Sequence, residues 1–249
     1  LVCASGHRFD RAAEGYVHLL PAGRHPGAVA GDSAEMLRAR RAFLDAGHYR
    51  PVMAAVAAMV PAGAAAVLDA GCGEGSYLAA VSAPERFGID IAKAGVRLAA
   101  RRHRDISFAV ASSYRLPFFD ASFDAVLSVF APRPFAEFAR VLRPGGAAVV
   151  ASPGPDHLDA VRELLYDATP EQPSPGAPPD PPHQGDHEQA AERVRYELTV
   201  TGHDLRHLVQ MTPHWWRASP AHRDEVLRTP ALVTTVDIWV TRSCSPGST

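Results

Sequence analysis

The densest run of residues able to do chemistry is Asp69-Ala70-Gly71-Cys72-Gly73-Glu74-Gly75, entered directly from the apolar stretch Ala66–Ala70. Glycines at alternate positions let a backbone turn approach a ligand closely, because no Cβ obstructs it. The dinucleotide fingerprint G-x-G-x-x-G would need glycine at position 76, where this chain has Ser76, so a nicotinamide dehydrogenase is disfavoured. Glu74 would sit badly beside a pyrophosphate, whereas a cationic cofactor without phosphate would tolerate it. A purely structural glycine turn is the competing reading. Asp90 ends the next apolar run, where a carboxylate can accept hydrogen bonds from both ribose hydroxyls. The alternative for Asp90 is an N-cap for the helix beginning near Lys93.

Other candidates carry two readings each. Tyr49 is a core residue or a site residue, and His157 is a site residue or a cap for the helix after Pro155. Phe130, in Phe130-Ala131-Pro132, either stacks on a flat substrate or packs in the core, and Trp215 and Trp216 present the same choice. Arg38, Arg40, Arg41 and Arg50 form one basic cluster, and Arg97, Arg101, Arg102 and Arg104 another. Each is a solvated helix face or part of a phosphate-binding groove. Cys3 and His7 stand at a Cys-x3-His spacing that by itself means little, since a closed zinc site needs four ligands.

The elements that must position these residues alternate. Short apolar runs at Ala66–Ala70, Phe87–Ile91, Ile106–Ala111, Asp124–Phe130 and Ala147–Ser152 read as buried strands. Helical patterns lie between them, at Lys93–His103 and Pro134–Leu142, which predicts a mostly parallel sheet covered on both faces. Val194–Thr201 and Thr234–Thr241 complete seven strands as an antiparallel edge, with a helix at Asp204–Gln210. Upstream, Asp32 and Glu35 have capping-box spacing ahead of a helix ended by Gly47, and Pro51 opens a second helix. Residues 1–31 read as a separate N-terminal module and linker, and 32–249 as the main domain. Residues 169–185 hold seven prolines and are expected to be an extended, flexible loop.

With 249 residues, 47% of them hydrophobic, the chain can bury a sizeable core. A net charge of −2 neither marks nor excludes a nucleic-acid partner. Three cysteines cannot build a disulfide framework, and no apolar run reaches membrane-spanning length. With no leader pattern visible, the expectation is a cytoplasmic protein without membrane association.

Taken together, Asp69–Gly75, Asp90, Leu116-Pro-Phe-Phe-Asp120-Ala-Ser-Phe-Asp124 and Leu142-Arg-Pro-Gly-Gly146 resemble the Rossmann-like class I methyltransferase core. That resemblance implies S-adenosyl-L-methionine as cofactor, with Gly71 and Gly73 under its methionine part, Asp90 on the ribose and Ser112 or Ser113 near the adenine. The flanks are similar to the bacterial 23S rRNA (guanine-N1)-methyltransferases. They are Gly6-His-Arg-Phe-Asp10, Glu14-Gly-Tyr-Val-His-Leu-Leu-Pro21, the stretch Gly31–Tyr49, Ala111-Ser-Ser-Tyr-Arg-Leu-Pro, Pro153-Gly-Pro-Asp-His157-Leu and Gln210-Met-Thr-Pro213. This second resemblance implies that Tyr49 and His157 meet the cofactor together with Gly73 and Glu74, and Asp69, opening the glycine turn, is expected there too. It also implies a zinc finger of which Cys3 and His7 are the second ligand pair, the first lying upstream in the intact protein. The reaction implied is methylation of guanine N1 in a 23S rRNA hairpin loop, which in one branch contributes to macrolide (tylosin) resistance. A homodimer stays open at this level, and no catalytic base is singled out. The alternatives are a methyltransferase of small secondary metabolites and a noncatalytic RNA-binding relative.

Overall fold

β-branched and small apolar residues dominate the strand segments, and they assemble into one mixed sheet. The computed structural model describes residues 6, 8–20, 32–166 and 189–245. Its strands are β1 (Val17–His18), β2 (Ala66–Ala70), β3 (Glu85–Asp90), β4 (Ser107–Val110), β5 (Phe123–Val129), β6 (Leu142–Pro153), β7 (Gln189–Thr201) and β8 (Ala231–Cys244). They lie in the order β1-β4-β3-β2-β5-β6-β8-β7. Pairing is parallel from β1 through β6, and β8 then runs antiparallel to both β6 and β7. All seven expected strands are present with the expected antiparallel edge. The sheet has eight strands because the two-residue β1 adds beside β4, Val17 opposite Ala109. Both late strands extend beyond their expected limits, since they pair continuously from Gln189–Ser243 to Thr201–Ala231.

Side-chain alternation splits the core into two layers. On one face Val67, Ala125, Leu127 and Val149 pack under α1 (Ala34–Asp45), α2 (Arg50–Met59), α3 (Ser76–Ala79), α4 (Lys93–Arg102), α6 (Asp159–Leu165) and α7 (Gly202–Gln210). On the other, Leu68, Val126 and Ala148 pack against α5 (Phe135–Val141) through Phe138 and Val141. Two short helices, α8 (Pro213–Arg217) and α9 (Pro220–Arg228), follow α7. Among the described residues no helix is long and apolar enough to cross a membrane.

The start of α1 differs from the expected capping box. Ser33 is the N-cap, and its hydroxyl accepts from the Met36 N–H at 3.2 Å. Asp32 instead pairs with Arg40 at 2.5 Å. The expected stop holds: α1 ends at Asp45, and Gly47 adopts φ +86°, a left-handed value that favours glycine. Cys3, His7, the 31/32 boundary and the proline-rich 169–185 segment lie outside the described residues.

Because β2 lies between β3 and β5, the chain leaves it in one direction for β3 and β4 and later returns to its other side. The carboxyl ends of β2, β3 and β5 therefore frame a crevice at a topological switch point, where open α/β sheets bind ligands.

Candidate functional site

The turn after β2 is built by its backbone. Gly71 and Cys72 both donate their N–H to the Ile89 carbonyl, at 2.8 and 2.9 Å, so the turn is fastened to the end of β3. Gly71 has φ +106°, and a Cβ there would stand 2.5 Å from the Ala131 Cβ. Glycine is thus required both by conformation and by the close approach of the segment after β5. Gly73 has φ +53°, and its N–H donates to Asp90 Oδ2 at 2.9 Å. Asp90 Oδ1 accepts from Ala92 N–H at 2.7 Å, so the carboxylate both pins the glycine turn and starts the chain toward α4. Each oxygen retains a further lone pair for a ligand.

All eight residues expected at the cofactor line one cavity of 980 Å³: Tyr49, Asp69, Gly71, Gly73, Glu74, Asp90, Ser112 and His157. Its acidic side is crowded. Burial, then the neighbouring Asp90 and Glu74 charges, push the Asp69 carboxyl up to about 8, and Asp69 Oδ1 is buried without a hydrogen-bond partner. Burial also raises Asp90 and Glu74, although Ser76 Oγ donates to Glu74 Oε2 at 2.7 Å. An unsatisfied carboxyl beside two more, over a glycine cradle, fits a ligand bearing positive charge and ribose hydroxyls. S-Adenosylmethionine, with its sulfonium and ammonium, has that chemistry.

The opposite side is assembled from distant segments. Tyr49 caps the start of α2 and is buried, its hydroxyl 3.2 Å from His157 Nε2. His157 sits in the turn after β6, ahead of the α6 N-cap Leu158, so it is not itself the cap. The Asp237 N–H donates to His157 Nδ1 at 3.3 Å. The imidazole proton therefore resides on Nε2 and points at Tyr49 Oη. Burial, followed by the Arg162 charge, pulls the imidazole down to about 3, which keeps it neutral. With both nitrogens engaged, His157 orients Tyr49 and is a poor candidate for a general base.

Phe130 follows β5 at the cavity rim. It is 44% exposed, has φ +53°, and stacks on the His157 ring at 6.2 Å with an interplanar angle of 13°. A large ring held half in solvent by a left-handed backbone is not an ordinary core phenylalanine. Trp215 is buried under Arg223, whereas Trp216 is 37% exposed.

Three groups escaped the sequence reading. Arg40 lines the cavity with Asp32, although its neighbours made it look like part of a basic face. Its spacing from Leu37 and Leu44 puts it on the apolar side of α1, the one signal available. Asp237, fully buried in β8, takes Arg193 at 2.7 and 2.9 Å and Asp156 N–H at 3.2 Å, anchoring the turn that carries His157. Met211–His214 complete the wall. The basic clusters are largely neutralised: Arg97 and Arg101 share Glu14 (2.6 and 3.0 Å), and Arg102 and Arg41 meet Asp45 (2.7 and 3.8 Å). Among the described residues no set of three or more His, Cys, Asp or Glu side chains is arranged to hold a metal.

Comparison with known proteins agrees with this geometry. A family model described as a methyltransferase domain matches residues 67–146, which hold the glycine turn and Asp90. A zinc-ribbon model described as RlmA, N-terminal, matches residues 1–25. A Streptomyces fradiae protein named 23S rRNA (guanine(748)-N(1))-methyltransferase is 39% identical, covering 92% of this chain and 83% of the relative. A Micromonospora griseorubida protein, provisionally named a 23S rRNA (guanine-N(1)-)-methyltransferase, is also 39% identical, over 94% of this chain and 87% of its own. A Bacillus subtilis protein with the same provisional name is 34% identical, over 92% and 84%. Identity of this order across nearly the whole of both chains, with the glycine turn and Asp90 in place, makes this chain a member of the 23S rRNA (guanine-N1)-methyltransferase family.

Proposed function

We propose that the protein transfers the methyl group of S-adenosylmethionine to N1 of a guanine in a 23S rRNA hairpin loop. The observation that carries this reading is the single cavity joining the glycine turn, Asp90, Tyr49 and His157, in a chain whose relatives bear that activity in their names. When bound, the cofactor supplies a methyl group activated by the sulfonium. Asp90 would accept from the ribose hydroxyls, Asp69 and Glu74 would face positive charge, and Ser112 would lie toward the adenine.

The chain's contribution is alignment. Guanine N1 must approach the methyl carbon opposite sulfur, and holding both partners in line supplies much of the acceleration. Phe130, exposed at the rim, is a platform on which a guanine unstacked from its loop can lie. N1–C bond formation would break the cofactor's C–S bond, with the N1 proton passing to solvent water, giving N1-methylguanine and S-adenosylhomocysteine. His157 does not take that proton, for the reasons of tautomer and burial above.

The N-terminal segment is proposed to hold zinc, with Cys3 and His7 as two of four ligands. A thiolate and an imidazole are suitable donors, and the family model over residues 1–25 supports the reading. No catalytic step runs through that ion. It would help seat RNA, and such a substrate implies a cytoplasmic location. Similarity to the Streptomyces fradiae relative also supports a role in macrolide resistance through a guanine like its position 748.

The test is methyl transfer from labelled cofactor to unmodified 23S rRNA fragments, with the position mapped by primer-extension arrest. Because N1 methylation blocks base pairing, one cofactor-dependent arrest at a hairpin-loop guanine is expected. Label incorporated without an arrest, or none in RNA, would sink the assignment.

A further inference from the structure

The cavity has a charge imbalance that the roles above leave unexplained. Among the described residues four acidic side chains line it, Asp32, Asp69, Glu74 and Asp90, of which burial keeps Asp69 protonated up to about pH 8, against one guanidinium, that of Arg40. Its two lining histidines do not alter the balance: burial holds His157 near 3 and also lowers His214. Among the described residues Arg40 is thus the only lining side chain with a permanent positive charge. It reaches in from α1 over the glycine turn, so near that a Cβ on Gly73 would stand 3.6 Å from its Nη1.

Arg40 is also fixed in place and incompletely used. Nη1 meets Asp32 Oδ2 at 2.5 Å, and Nη2 donates to the Met211 carbonyl at 3.4 Å. A guanidinium has five N–H donors, so others remain for a ligand. The side chain is 29% exposed, which leaves it open to the cavity while its contact with Met211, the α7 C-cap, ties it across the α1–α7 seam.

From this we propose that Arg40 is the anchor for the α-carboxylate of the cofactor's methionine moiety, which sets the polarity of that moiety in the cavity. The inference rests on the cofactor reading above and adds the group that distinguishes one end of the amino acid from the other. Three carboxylates at the turn and β3 end face the ligand's ammonium, sulfonium and ribose. Its single anion then has one partner, Arg40, which Asp32 holds in place within the same cavity wall. A planar guanidinium suits a carboxylate geometrically as well as electrostatically.

Calorimetry with two ligands tests this: S-adenosylmethionine, and decarboxylated S-adenosylmethionine, which lacks only the carboxylate. The wild-type protein should prefer the intact cofactor by about ten- to a hundredfold, the range for a charged hydrogen-bonded contact. Arg40→Gln should lose that factor for S-adenosylmethionine while binding the decarboxylated ligand within about twofold of wild type. Arg40→Lys should fall between. Equal loss for both ligands would reduce Arg40 to a prop for the glycine turn and overturn the proposal. So would a wild type that does not distinguish the ligands, which needs no variant to fold. Unchanged cofactor affinity with weakened binding of 23S rRNA fragments would assign Arg40 to a phosphate instead. A wild type that binds neither ligand would strike at the cofactor reading itself.

Discussion

The two walls of the cavity are made in different ways. The acidic wall comes from one short stretch, Asp69 to Asp90, and backbone N–H donors hold it: Gly71 and Cys72 on the Ile89 carbonyl, Gly73 and Ala92 on the Asp90 carboxylate. The facing wall gathers Asp32, Arg40, Tyr49, His157 and Met211–His214, separated by up to 182 positions between Asp32 and His214. Side chains join that wall: Arg40 to Asp32, Tyr49 to His157, and Asp237 beneath the His157 turn. The local wall therefore depends on conformations only glycine adopts easily, and the assembled wall on buried polar contacts that span the fold.

The comparison breaks most sharply at Gly71. Gly71→Val combines a left-handed φ with a 2.5 Å clash against Ala131. A loss of about 4 kcal/mol of stability is expected from overpacking plus backbone strain, together with loss of cofactor binding. Thermal unfolding and calorimetry on the same preparation check it, and a stable variant with wild-type affinity would show that the turn tolerates side chains.

Next in size is Asp237→Ala. It leaves Arg193 only its 3.9 Å ion pair with Asp156 and frees the turn carrying His157, for about 3 kcal/mol of stability. Cofactor affinity should fall by a smaller factor, because Asp90 and the glycine turn stay in place. Denaturant unfolding beside calorimetry separates the two. If affinity collapsed with stability unchanged, Asp237 would belong to the ligand site and not to its support.

The smallest effect is in pH, and here the walls have opposite signs. Asp69 has its carboxyl raised to about 8 in the fold, from about 3.9 when unfolded, so the folded state holds the extra proton and stability falls as pH rises through that window. His157 is lowered to about 3 from about 6.5, so the unfolded state holds the extra proton and stability rises with pH across that range. The two slopes oppose each other below about pH 6.5. Above it, of these two groups, Asp69 alone acts, and its contribution to the stability of the cofactor-free protein should fall by about 1.6 kcal/mol by pH 8. Asp69→Asn should remove that decline, and His157→Gln should remove the rise at acid pH. Denaturant titrations at several pH values would show whether the slopes belong to these walls.

How much of this was legible follows the same division. The strand-turn pattern marked the acidic wall, since Gly71, Gly73 and Asp90 act through local backbone and sit at predictable distances along the chain. Tyr49 and His157 were reached only by resemblance. No spacing links residues 108 positions apart, and each has an ordinary structural reading taken alone. Arg40 was misplaced because it stands in a run with the exposed Arg38 and with Arg41, which pairs with Asp45, and its spacing from Leu37 and Leu44 was the one sign that set it apart. Asp237 carried one hint, a charged residue in an apolar strand, with nothing to name its partner.

By itself the sequence determined the local chemistry: where backbone could bend without a Cβ, where apolar runs had to be covered, and which carboxylates ended strands. Only the tertiary structure decided which side chains oppose them. The cavity's second wall exists because β8 inserts antiparallel beside β6 and α1 packs on α7, bringing Asp237 under His157 and Arg40 over Gly73. Such contacts depend on how helices and strands pack across the whole core, and no short-range pattern encodes them.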